Sequence, residues 1–380
     1  MSSPALSDVF VLDFSKFLPG PYCTWMLADL GAEVVRVEHP RELAKQAQVF
    51  GAQGLSTADQ AVRRARDIFA RNKQSVLLDP GDETSRPLLE ALVRRADVLV
   101  EDYRPGVMEK MGLGYEVLSA LNPRLIYCSV TLCGQTGPYR DKPGHDPIAL
   151  SIAGALSRVG EDPERPSFPG VPVADLLSGS NAVIGILAAL HARQMTGCGQ
   201  RVDIAMSDAA MALIASTLSR NPDPARLPPR GKRRVDTGLW RCADGRWVCT
   251  TDMEPRYWAT FCEVLGRPDF IPLQLDADRR EAVIAELERV MATRSSAEWM
   301  ALFDAAGTQA MPVYEPAEAL QDAHNAARGM TPVYEAADGT AVQHLGCPIK
   351  LSDTAAAFRH LGRMPGADNA DIRARFLSDR

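Results

Sequence analysis

Three short segments carry side chains suited to proton transfer or nucleophilic attack. The first is Pro143–Gly144–His145–Asp146–Pro147, a His–Asp pair set between Gly and Pro. An imidazole at a helix entrance, near backbone amides, suits proton transfer near neutral pH. A plain reading stands beside it, in which His145 or Asp146 merely caps the helix. The second segment is Pro172–Val173–Ala174–Asp175–Leu176, where Asp175 opens the most apolar helical stretch of the chain. Helix N-terminal amides favour a carboxylate there, whether it reacts or only caps. The third is Met253–Glu254–Pro255–Arg256–Tyr257–Trp258. Glu254 precedes a helix-starting proline, where an acid also complements the helix dipole. Arg36, Lys73 and Arg104 stand at element ends and are candidates to hold phosphates, although most such residues are solvated surface groups.

These side chains need a frame to hold them. Residues 9–13, 33–38, 75–78, 97–101 and 125–130 are apolar runs of strand length. Helical patterns lie between them at 21–30, 84–95 and 115–121. Such alternation predicts a parallel sheet with covering helices. Residues 41–71 interrupt it with an Ala-, Gln- and Arg-rich stretch. A charged helix over 59–70 is expected there, as a surface insertion or a mobile lid. Beyond, helices are expected over 150–159, 176–194 and 205–219, with a strand at 201–203. The apolar 176–194 pattern reads as a buried central helix. Residues 221–234, rich in Pro and Arg, read as a linker.

A hairpin over 238–249, closed at Ala243–Asp244–Gly245, leads the next stretch. Helices at 257–265, 279–293 and 297–305 follow it. The expected organisation is an α/β large domain over 1–224 and a smaller α+β domain over 225–325. Residues 326–380, with a hairpin around Asp338–Gly339, return to the large domain.

Composition excludes several classes. The 380 residues carry a net charge of −6, which argues against a nucleic-acid partner. No apolar run was found to approach a membrane span of roughly 20 residues, so no membrane partner is expected. The first eight residues lack a signal-peptide pattern. Eight cysteines without a CxxC pair read as a reduced, cytoplasmic chain without structural zinc. Leu18–Pro19–Gly20–Pro21 replaces GxGxxG after the first strand. GxxxxGK[ST], GxSxG and HExxH are also missing, so no metal site is expected.

The segment DFSKFLPGPYCTWMLADLGAEVVRVEHP closely resembles the opening of class III (CaiB/BaiF type) CoA-transferases, a family that includes the α-methylacyl-CoA racemases. The match continues through RNKQSVLLD, ADVLVEDYRPGVMEKMGLGYEVLSALNPRLIYCSVTLCGQTGP and GILAALHARQMTGCGQRVDIAMSD, and into PVYEPAEALQDAHNAARGM and PIKLSDT. The resemblance implies a two-domain α/β fold in an intertwined homodimer. It implies a coenzyme A thioester as substrate and no permanently bound cofactor. By place within matching motifs, Arg36, Asn72, Lys73, Leu77, Tyr103 and Arg104 are implied CoA contacts. Basic side chains there would pair with phosphates.

The family divides by chemistry. Asp175 matches the carboxylate that both branches use. In a racemase it works with the His of a GHD motif, matched here by Gly144–His145–Asp146. One base on each face then inverts the α-carbon of a 2-methylacyl-CoA through an enolate. Amides at a helix N-terminus near Asp146 are the expected donors to the enolate oxygen. Glu254 falls in an EPxYW segment that resembles the racemase's EPxFY segment, whose Glu supports that His. The racemase reading is preferred. The alternative is a CoA transferase, in which Asp175 forms an acyl–aspartyl anhydride and CoA passes to another acid. The context GVPVADLLSG resembles transferase members.

Overall fold

The computed structural model describes residues 3–49, 51–160, 165–220, 223 and 233–377. The chain divides into two compact units, one of residues 1–159, 166–227 and 326–380, the other of 160–165 and 228–325.

The first unit is built on six strands: β1 (Phe10–Asp13), β2 (Glu33–Glu38), β3 (Lys73–Leu77), β4 (Val98–Glu101), β5 (Ile126–Thr131) and β6 (Arg201–Ala205). Their order is β3-β2-β1-β4-β5-β6, and every pair is parallel. Parallel strands buried on both faces need near-continuous apolar runs, and FVLD and VLVE are buried throughout. The helices of this unit are α1 (Pro19–Asp29), α2 (Pro40–Val49), α3 (Thr57–Arg66), α4 (Arg86–Arg95), α5 (Val107–Lys110), α6 (Tyr115–Leu121), α7 (Asp146–Ile152), α8 (Val173–Thr196), α9 (Met206–Ala212) and α10 (Ala215–Arg220).

Alternate residues of each strand face opposite layers. Leu12, Val35, Leu99 and Tyr127 pack with Leu88, Leu89 and Leu92 of α4. Val11, Val34, Val98 and Ile126 pack with Trp25 and Leu27 of α1 and Ala182, Val183 and Ile186 of α8. Strand order reverses between β1 and β4. In open α/β sheets the crevice beyond the carboxyl ends at such a point is where ligands bind.

The second unit holds β7 (Thr237–Arg241), β8 (Trp247–Thr251) and β9 (Ala310–Pro312), an antiparallel sheet in the order β7-β8-β9. The expected 243–245 turn joins its first two strands. Around it lie α11 (Pro255–Val264), α12 (Arg280–Met291), α13 (Ser296–Ala306) and α14 (Pro316–Ala319), with Trp240, Trp258, Phe261 and Phe303 in the core. Most of the expected 221–234 linker lies outside the described residues. Arg233 and Arg234 are described: Arg233 pairs with Glu288 and lies 5.0 Å over the Trp240 ring, and Arg234 pairs with Asp236. After α15 (Ala323–Ala327), the tail forms the hairpin β10 (Val333–Glu335) and β11 (Ala341–Gln343) and ends in α16 (Asn369–Leu377). Ile372 of α16 joins the core beneath α4.

Four expectations change, one of them the single helix over 205–219, which is divided into α9 and α10. The 41–71 stretch holds two helices, α2 and α3, where one was expected. The helix expected at 150–159 begins earlier, at Asp146, because Pro147 sits in its first turn, where a fixed φ favours the helix. Gly154 (φ +74) follows its end. By length and composition, α8 is an apolar run long enough to cross a membrane, contrary to the sequence expectation. Its inner face packs along α1, β5 and β6, while Ile184 and Met195 on it are 64% and 75% exposed.

Candidate active site

Beyond the carboxyl ends of β1, β4 and β5 lies a cavity of about 390 Å³. Tyr103, Arg104, His145 and Asp175 all line it, and so do Asp102 and Phe17. Residues picked from three distant sequence segments therefore share one space.

The β1–α1 turn is tied down from below. Asp13, buried at the end of β1, accepts from the Ser15 backbone N–H (2.9 Å), Thr24 Oγ1 (2.7 Å) and Lys73 Nζ (2.9 Å). Burial alone pushes the Asp13 carboxyl up, but Lys73, Arg36, Ser15 and Thr24 reverse this and hold it below the usual range. Lys73 Nζ also donates to the Pro21 carbonyl (3.1 Å) and Thr24 Oγ1 (2.6 Å). Its side chain is buried and engaged beneath the turn, so the Lys73 ammonium is not open to a phosphate.

The Asn72 side chain is likewise engaged within the fold. Its Nδ2 donates to Asp29 Oδ1 and the Ala357 carbonyl, each at 2.8 Å. Its Oδ1 accepts from the Arg359 (2.6 Å) and His360 (3.3 Å) N–H groups. It holds φ +62, which an Asn tolerates better than most residues. The Leu77 backbone N–H donates to Asn369 Oδ1 at 2.8 Å on edge strand β3, and Leu77 is not among the residues lining the cavity.

His145 is the N-cap of α7 (φ −132, ψ −174), exposed to solvent. Its ring meets the Phe17 ring edge-on, with centroids 5.8 Å apart and planes at 75°. Asp146, the first residue of α7, is buried. Its Oδ2 accepts the backbone N–H groups of Ala174 (2.6 Å) and Asp175 (3.2 Å), at the start of α8. The Asp146 carboxylate thus joins α7 to α8, and the two α8 amides that it holds are not open to an enolate oxygen.

Asp175 stands in the first turn of α8, half-buried. Its carboxylate makes no hydrogen bond to the described residues. Burial, then the charges of Asp146 and Asp102, push it up to about 7. A carboxyl poised there exchanges protons near neutrality. Asp102 was missed in the sequence, where it sits between a strand and the motif residue Tyr103. Its place at the end of β4, beside the reversal of strand order, is the signal that would have found it.

Arg36 lines a second, larger cavity of about 950 Å³, with Lys16, Arg63, Arg64, Arg66 and Phe17. Its guanidinium is buried, with Nε 3.7 Å from Glu38 Oε1 and without a hydrogen-bond partner. The 41–71 stretch walls this cavity. Gln46 Nε2 donates to the Lys16 carbonyl (2.5 Å), Glu42 pairs with Lys16 (3.3 Å), and Arg64 pairs with Glu38. Lys16 Nζ also lies 3.7 Å over the Tyr103 ring.

Glu254 belongs to the second unit. It is exposed there as the N-cap of α11, with no side-chain capping bond. Among the described residues no group of three or more His, Cys, Asp or Glu has a metal-binding arrangement.

Comparison with known proteins identifies the family. The family model described as CoA-transferase family III matches residues 6–369. A succinyl-CoA:mesaconate CoA-transferase of Haloarcula hispanica is 34% identical, over 92% of this chain and 91% of its own. The human α-methylacyl-CoA racemase is 32% identical, over 86% of this chain and 82% of its own. A crystal structure of a CAIB/BAIF family protein from Brucella suis superposes with a TM-score of 0.84 at 27% identity, covering 99% of this chain and all (100%) of that one. The sheet, the shared cavity and these matches together establish that the chain belongs to CoA-transferase family III, whose members are acyl-CoA racemases or CoA-transferases.

Proposed function

We propose that the protein interconverts the two epimers of a 2-methylacyl-CoA by two-base proton transfer. The observation that carries this reading is that His145 and Asp175 line one cavity. One takes the α-proton of the thioester as its C–H bond breaks, leaving an enolate. The other gives a proton to the opposite face, and the pair ends with its protonation exchanged. A carboxyl at about 7 beside an imidazole suits both halves. With the Ala174 and Asp175 amides held by Asp146, charge on the enolate oxygen falls to Arg104, Arg140 and Lys142, which line the same space. The thioester end lies in this cavity beside Tyr103 and Arg104. The phosphates of CoA reach past Phe17, which borders both cavities, toward Arg36. Glu254 is assigned to support of His145 by the family resemblance.

A second reading is CoA transfer. The Asp175 carboxylate, free of hydrogen bonds to the described residues, is open to attack a thioester carbonyl. An acyl–aspartyl anhydride forms as the C–S bond breaks. The CoA thiolate then attacks the aspartyl carbonyl, releasing the first acid. A second acid displaces the thiolate to form a new anhydride, whose acyl carbonyl the thiolate attacks to give the new acyl-CoA and free Asp175. The relatives named as CoA-transferases favour this reading.

Incubation with a single epimer of a 2-methylacyl-CoA in D2O, without an acceptor acid, separates the two. Racemisation with deuterium at the α-carbon supports the first. His145→Ala then abolishes inversion but retains part of the exchange of one epimer. CoA exchange that needs an added acid, with no α-deuteration and with His145→Ala still active, overturns it for the second.

We also propose that the molecule works as an intertwined homodimer. The exposed apolar face of α8 supports a second copy as its cover.

A further inference from the structure

Asp102 lies outside every segment singled out for its chemistry, yet it lines the cavity with His145 and Asp175. Its Oδ1 accepts the Lys16 backbone N–H at 3.0 Å, and its Oδ2 accepts those of Lys16 and Phe17 at 3.0 and 3.1 Å. Those amides belong to the turn between β1 and α1, so the end of β4 fixes that turn. Gly20, in the first turn of α1, must remain small. A Cβ there would lie 2.3 Å from Ser15 Cβ and 3.1 Å from Asp102 Oδ2. The turn in turn aims Phe17, whose ring packs against the His145 ring. The imidazole makes no hydrogen bond to the described residues, so this ring contact is what holds it from that side.

Resting on the reading that His145 and Asp175 carry the reaction, we propose that Asp102 is a positioning residue, holding Phe17 against His145 and facing Asp175 with a negative charge. Both catalytic groups thereby depend on one carboxylate at the end of β4. The groups facing Asp175 are Asp146 from α7 and Asp102 from β4, with His145, Arg104, Arg140 and Lys142 around the cavity. Burial raises Asp175 most, and the charges of Asp146 and then Asp102 add to it, so loss of the Asp102 charge lets it ionise at somewhat lower pH.

Three variants test this by kinetics with an acyl-CoA thioester. Asp102→Asn keeps an acceptor oxygen for the turn and removes the charge. Its acid limb of kcat/KM shifts to lower pH, and kcat falls less than in Asp102→Ala. Asp102→Ala loses the acceptor, and kcat falls roughly 10–100-fold through misplacement while KM changes little. Phe17→Ala lowers kcat as well, and the double variant with Asp102→Ala is no worse than the poorer single, because both act along one path. An unmoved acid limb in Asp102→Asn, or losses that multiply in the double variant, overturns the proposal.

An independent readout is the NMR titration of the His145 ring. Asp102→Ala and Phe17→Ala shift the same imidazole resonances if Asp102 acts through Phe17. Unchanged His145 resonances in a folded Asp102→Ala protein overturn it. A wild type that turns over no acyl-CoA defeats the catalytic reading alone, since the His145 titration still decides the link from Asp102 through Phe17.

Discussion

At the residue scale, Asp175 marks a conflict between stability and reactivity. Its carboxyl sits at about 7 in the folded protein against an ordinary 3.8. Between those values the folded chain keeps a proton that the unfolded chain has lost. The contribution of this group to stability is therefore greatest below about pH 3.8 and is lost as pH rises through 7. Asp175→Asn, which cannot ionise, escapes that loss. It is expected to be more stable than wild type at pH 8 by about 1–2 kcal/mol, a figure reduced for the solvent that reaches the side chain. The difference vanishes near pH 4. Urea denaturation at both pH values checks it, and equal stabilities at pH 8 would count against a raised Asp175. This fits the general pattern that reactive groups are held at some expense of stability. Sequence alone marked Asp175, because an acid before an apolar helix is visible as a pattern. The burial of Asn72 and Lys73 was not visible. The RNKQS stretch looks like a polar, ligand-facing motif, and only the packed β1–α1 turn and the returning tail show where those side chains are used.

At the scale of elements, the cap is the joint that makes a site from two helices. Asp146 opens α7 and satisfies two of the orphan amides of α8, so His145 and Asp175 stand on elements fixed to each other. The sequence placed an acid at each of two helix starts. It could not show that one of them caps the other helix, because residues 146 and 174 are joined only in space. The sheet was far more legible. Apolar runs of four to six residues separated by helical patterns have one easy solution, a parallel sheet with both faces covered. Its strands lie within about two residues of expectation, which is ordinary end fraying. The polar α2 and α3 carry little apolar signal, and α2 has no buried residue, so their division was not read. The joint gives a direct prediction. Asp146→Ala leaves the amide of buried Ala174 without a partner and is expected to destabilise the protein by about 1–3 kcal/mol. Asp146→Asn, which retains an acceptor, loses less. A urea midpoint unchanged in Asp146→Ala would show that α8 starts without this cap.

At the scale of the whole molecule, α8 presents two unlike sides. Ala182, Val183 and Ile186 are buried against α1 and the sheet. Ile184, Leu187 and Met195 are exposed on the same helix, and Met211 and Leu213 are exposed in and just after α9. Single exposed apolar residues are ordinary, but several on one long helix mark an interaction surface. A second copy of the chain is the occupant proposed here, in the intertwined arrangement implied by the family resemblance. Linked chains cannot separate while folded, so dissociation and unfolding become one event. Two consequences follow. Dilution to nanomolar concentration leaves the sedimentation coefficient of a dimer unchanged for hours. Ile184→Glu, which places a charge in the covered face, lowers the yield of dimer on refolding. It does so with little change to the folded core of a single chain, because Ile184 is 64% exposed there. Analytical ultracentrifugation of the wild type at nanomolar concentration, with far-ultraviolet circular dichroism on the same sample, decides the matter. A monomer that retains native secondary structure would defeat the linked arrangement. A dimer in which Ile184→Glu refolds as well as wild type would show that a face other than that of α8 joins the two chains.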